Sequence, residues 1–76
     1  MGKKTETPRS FSPVKLRRLR GDRAFHTLAV EITQRTGVDM HPETLRLYEA
    51  GKSEPRTEKL AAIAAYFGVA IDALFE

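Results

Sequence analysis

Residues 40–55 read M-H-P-E-T-L-R-L-Y-E-A-G-K-S-E-P, and no other stretch constrains the fold as much. Pro42 suits the first position of a helix, where its missing N–H is not needed. Gly51 stops that helix, and Pro55 closes the basic loop that follows. A helix bounded in this way is short. It is built as a helix is when one face must be anchored by the body and the other offered to a partner.

The rest of the chain supplies the anchor. Ser12-Pro13 gives an N-cap followed by proline at the first helical position, and the helix through Arg20 is expected to turn Val14, Leu16 and Leu19 inward. Gly21-Asp22 breaks it. A second helix begins between Arg23 and Thr27, capped by Asp22 or else by His26 or Thr27, and ends near Thr36 with Gly37 just beyond. Its apolar residues Phe25, Leu28, Ala29 and Ile32 fall at i, i+3, i+4, i+7. Helix three is expected from Pro42 to Ala50. Thr57 would cap helix four, Glu58 to Phe67, with Leu60, Ile63, Ala64 and Phe67 inward and Gly68 at its end. A last short helix, Ile71 to Phe75, completes a compact all-α body of five helices. No segment alternates with period two, so no strand is expected.

Seventy-six residues allow a single domain, which buries only roughly 60% of its unfolded surface. Residues 1–10 hold no apolar side chain after Met1 and are expected to be a flexible basic arm, leaving 11–76 as the domain. Net charge is +3, unevenly spread: residues 1–23 carry eight basic groups against two acidic, and the remainder five against eight. A basic arm on a nearly neutral body suits phosphate or an acidic membrane surface. The lack of cysteine fits a reducing compartment. No apolar run approaches the ~20 residues of a membrane span. A cytoplasmic protein is therefore expected.

Two helices joined by a short glycine-containing turn, the second short and followed by a loop, describe a helix-turn-helix. Three blocks of text sharpen this: L-R-R-L-R at 16–20, T-L-R-L-Y-E-A-G-K-S-E-P at 44–55, and L-A-A-I-A-A-Y-F-G-V-A-I-D-A-L at 60–74. In that order they resemble the first helix, the recognition helix with its E-x-G-x-x-x-P exit, and the closing helices of the Cro/CI-repressor (XRE) family. The resemblance covers about residues 11–75 and implies a repressor-like DNA-binding domain with helix three in the major groove. Two departures stand out. Five residues separate Val38 from Thr44, more than the family usually has, and the family's L-A-x-x-x-G in helix two is absent. A wider turn is implied, as in some nucleoid-associated regulators.

The resemblance puts Leu45 and Tyr48 inward and Pro42, Glu43, Arg46 and Leu47 outward. Arg46 either donates to guanine or binds phosphate; Glu43 either accepts from cytosine N4 or serves as an ordinary first-turn carboxylate. Leu47 touches a thymine methyl or, if the wider turn rotates the helix, joins the core. His41 caps helix three or reaches a phosphate. Thr44, Lys52 and Arg56 are candidate phosphate ligands, Thr27 joins the DNA-contacting set, and Glu54 must point away from a phosphate. The family also pairs an arginine late in helix one with the glutamate before the glycine. Arg20 and Glu49 match that pattern and are expected to form a partly buried ion pair.

No catalytic constellation is present: the two histidines lack metal-ligand spacing, and no serine sits in a G-x-S-x-G elbow. No cofactor is expected. The leading expectation is a sequence-specific double-stranded DNA-binding regulator, dimeric because a few base contacts per subunit rarely suffice. Val69, Ile71, Leu74 and Phe75 are the candidate pairing surface. The rivals are an antitoxin or adaptor acting through a protein partner and a low-specificity nucleoid protein.

Overall fold

A computed structural model describes residues 10–76. The expected arm, with Lys3, Lys4 and Arg9, lies outside the described residues except for Ser10. Four α-helices follow one another: α1 (Pro13–Arg20), α2 (Phe25–Thr36), α3 (Pro42–Glu49) and α4 (Thr57–Phe67). The segment expected as a fifth helix is a 3-10 turn, Ile71–Leu74. A competing set of backbone bonds explains its brevity. Ser12 N–H donates to Leu74 O at 2.8 Å and Glu76 N–H to Ser10 O at 2.9 Å, so Phe75 is drawn into an extended bridge with Phe11. Lys15 Nζ fastens the same strap through Phe75 O at 2.6 Å.

Each helix is set by its ends and its buried stripe. Ser12 accepts from Lys15 N–H at 3.2 Å and Pro13 follows it, so α1 starts as its sequence dictates. Leu16 is fully buried and Leu19 packs at the core margin. Val14, expected inward, is 58% exposed. It stands two residues from Leu16, roughly 200° around the helix, which puts it on the opposite face.

Helix α2 begins at Phe25, and none of the residues proposed to cap it does so. Ala24 holds the N-cap position with no side-chain bond. Phe25, the first helical residue, is half-buried, with the Arg20 guanidinium 4.1 Å from its ring centroid. Leu28, Ala29 and Ile32 face the core. At the far end Gly37, at φ 77, turns the chain out of the helix in the left-handed region that favours glycine.

Helix α4 starts one residue early. Thr57 lies inside the helix and Arg56 takes the cap position without a side-chain bond. Leu60, Ala62, Ile63 and Ala64 are buried, and Phe67 is half-buried at the edge. The core is one cluster to which α1, α2, α3, α4 and the 3-10 turn all contribute. Leu16, Leu28, Ile32, Leu45, Ile63 and Leu74 are its fully buried side chains.

Candidate nucleic-acid interface

Helix α3 is held on one face and open on the other. Leu45 is fully buried and Tyr48 nearly so, its ring meeting Phe11 edge-on at 6.2 Å between centroids. Burial pushes the Tyr48 phenol above its ordinary value of 10.0. Glu43 and Arg46 are exposed, and Leu47 is half-buried outside the core cluster. Leu47 is therefore not part of the core.

The exit of α3 is secured twice. Arg20 Nε donates to Glu49 Oε2 at 2.6 Å and Nη2 to Glu49 Oε1 at 3.0 Å, a bidentate pair with side chains 16% and 8% exposed. A third nitrogen, Nη1, donates to Arg23 O at 2.8 Å. The hydrogen bond with Glu49 raises the Arg20 pKa, with burial acting against it. Beyond Glu49, Gly51 N–H donates to Tyr48 O at 3.2 Å and Lys52 N–H to Leu47 O at 3.0 Å. This pair of bonds closes the helix as a Schellman motif, which Gly51 permits at φ 74. Pro55 is buried, and Lys52 and Arg56 project to solvent.

The entrance is secured by a hydroxyl. Met40 N–H donates to Thr33 Oγ1 at 2.9 Å, while that hydroxyl lies 3.0 Å from Ala29 O and 3.3 Å from Met40 O. Thr36 acts alike one turn on, donating to Ile32 O at 2.7 Å and accepting from Val38 N–H at 3.2 Å. Met40 is itself 3% exposed. The long turn is thus tied down by two threonines of α2 and plugged into the core by a methionine. His41 occupies the N-cap position, but its side chain does not cap the helix. Its Nε2 lies 3.1 Å from Asp39 Oδ2 instead, and both side chains are exposed.

The candidate contacts gather in two groups. Glu43, Arg46 and Leu47 share the outer face of α3. Thr44 lines a shallow groove with Ser53, Glu54, Arg56 and Lys59 between α3 and the start of α4. Glu54, expected to turn away, shares that groove with Arg56. Thr27 is exposed in the first turn of α2. Three features escaped the sequence reading: the Thr33–Met40 clamp, the core role of Met40, and a hydrogen-bonded ion pair between Arg46 Nη2 and Glu43 Oε1. The i,i+3 spacing was the available signal for the last. The clamp had none, because it depends on where the turn returns.

Among the described residues no three His, Cys, Asp or Glu side chains are grouped to hold a metal, and no helix is long and apolar enough to cross a membrane. An all-helical body that presents a short second helix after a pinned turn is a helix-turn-helix protein, a class that binds DNA. A family model described as Helix-turn-helix matches residues 30–74, more than half of the chain. The chain belongs to that family in its XRE branch, whose members are DNA-binding regulators. No curated protein and no solved structure matches it.

Proposed function

We propose that this protein is a sequence-specific transcriptional regulator that inserts α3 into the major groove of double-stranded DNA and binds two half-sites as a homodimer. The division of α3 carries the proposal: Leu45, Tyr48 and Glu49 hold one side, and Glu43, Arg46 and Leu47 are left on the other. Arg46 and Glu43 read base edges and Leu47 meets a thymine methyl. Lys52 and Arg56, together with Thr27, His41, Pro42 and Thr44 at the two helix entrances, position the protein on the sugar-phosphate backbone. Arg20 is structural, since its guanidinium is committed to Glu49.

Of the apolar C-terminal residues, Leu74 is buried and Val69 and Phe75 pack on the core. Ile71, 40% exposed, is the one left to meet a second copy. Selection from random duplex DNA tests the proposal. One enriched motif with two half-sites is expected, together with a log K that falls with log salt at a slope of about −4 to −5. A slope near zero rejects DNA binding. Flat enrichment with a steep slope replaces specific regulation by DNA coating, and a co-purifying protein that abolishes DNA binding favours the adaptor role.

A further inference from the structure

We propose that Glu43 and Arg46 form one base-reading unit that selects a cytosine and a guanine on neighbouring base pairs of each half-site. In this unit Glu43 also aims the arginine. The inference rests on α3 being the helix that enters the groove. Both side chains are 61% exposed on the outer face of α3, and each is the other's partner. No further hydrogen bond or ion pair among the described residues engages either one. A guanidinium has five N–H donors and a carboxylate has two oxygens. One Arg46 N–H and Glu43 Oε1 are used in the pair. Four N–H donors and Glu43 Oε2 remain, enough for guanine O6 and N7 on one side and cytosine N4 on the other.

Spacing supports neighbouring pairs. Residues three apart on a helix are separated by about 4.5 Å along its axis, and base pairs by about 3.4 Å along theirs. A helix lying along the groove would set the two groups over adjacent steps.

Charge supports a reading role over a phosphate-binding one. Arg46 is the only cation in α3, and its pairing with Glu43 makes the outer face neutral. A neutral pair adds little attraction for phosphate but retains directional donors and an acceptor. Lys52 and Arg56, which make no ion pair among the described residues, flank the exit loop, where charge without direction suffices for the backbone. A carboxylate facing DNA is tolerated only where donors meet it, and here those donors are Arg46 and a cytosine amine. Holding the arginine before DNA arrives also lowers the ordering cost of binding.

The test is selection from random duplex DNA with the full chain and with Glu43→Ala, Arg46→Ala, Glu43→Gln and the Glu43→Ala/Arg46→Ala double variant. The wild-type motif should contain cytosine and guanine on adjacent pairs. Each alanine variant should weaken binding to the selected site about 5- to 150-fold and flatten both positions, and the double variant should be no worse than the poorer single one. Glu43→Gln should shift the cytosine position toward adenine, because glutamine matches adenine N6 and N7. Melting should stay at the wild-type value throughout, since both positions are exposed.

Single variants that each flatten only their own position, with effects that multiply in the double variant, would overturn the coupling. So would a Glu43→Ala protein that binds every sequence more tightly with its guanine position unchanged: Glu43 would then merely restrain the arginine. Salt-dependent binding without a motif would reject this inference and leave DNA binding standing. No DNA binding at all would reject both.

Discussion

The two ends of α3 are fastened by different chemistry and to different parts of the molecule. Its exit is tied by a bidentate ion pair to α1, 29 residues away in sequence, and by a Schellman motif at Gly51. Its entrance is tied by the neutral hydroxyl of Thr33 to a turn only seven residues on, with Met40 as a core plug. A long-range tie couples helix position to global folding. The hydroxyl clamp itself reaches only α2, while Met40 joins the core that all the helices share. The exit is therefore expected to weigh more on global stability, and the entrance on how the first turn of α3 is presented.

The sharpest way to break this contrast is at the exit. Arg20→Ala leaves a largely buried carboxylate without its partner, which costs about 3 kcal/mol and lowers the melting temperature by about 10 °C or more. Arg20→Lys should fall between, because lysine keeps the charge and loses the fork. Thermal melts followed by circular dichroism decide it; an unchanged melt for Arg20→Ala would make the two ends equivalent. At the entrance, Thr33→Val strips Met40 N–H of its acceptor and should cost about 1–2 kcal/mol. Hydrogen exchange should then speed up at the Met40 amide, while amides near Glu49 keep their relative protection.

Smaller effects sharpen the picture. Lys52→Ala and Arg56→Ala should leave melting unchanged, while each reduces the salt slope of DNA binding by about one. The least effect is alkaline. The Tyr48 phenol is raised by burial, so above its ordinary 10.0 the unfolded chain loses this proton while the folded chain retains it. Stability contributed by Tyr48 is thus complete below 10.0 and declines as pH rises toward the folded value. Denaturation at about pH 9 and about pH 11 should show that decline in the wild type and a weaker one in Tyr48→Phe.

Much of this architecture is legible in the sequence. The start of α3 at Pro42, the glycine ends of α2 and α4, and the buried Leu28, Ala29 and Ile32 follow from local chemistry and spacing. The resemblance to repressors named Arg20 and Glu49 as partners, and they stand 2.6 and 3.0 Å apart at their two contacts. Val14, expected inward because it is apolar, lies outside because its angle from Leu16 puts it on the opposite face of α1. The start of α2 at Phe25 falls within the expected span Arg23 to Thr27, but Ala24 holds the cap position in place of Asp22, His26 or Thr27. The closing helix shrank to a 3-10 turn because backbone pairing with residues 10–12 claimed its end.

The chain's own text determined the helical class, the start of α3 at Pro42 and the family, since prolines, glycines and apolar spacing act within a few residues of themselves. The placement of the α3 entrance depended on packing. Thr33 finds Met40 only once the turn has folded back over α2. Likewise, the strap between residues 10–12 and 74–76 exists only when these two distant segments meet. Such contacts join groups whose separation is set by the whole core, so no local pattern announces them. Residues 40–55 combine both kinds: their exit could be read from the text, while their entrance needed the folded body around it.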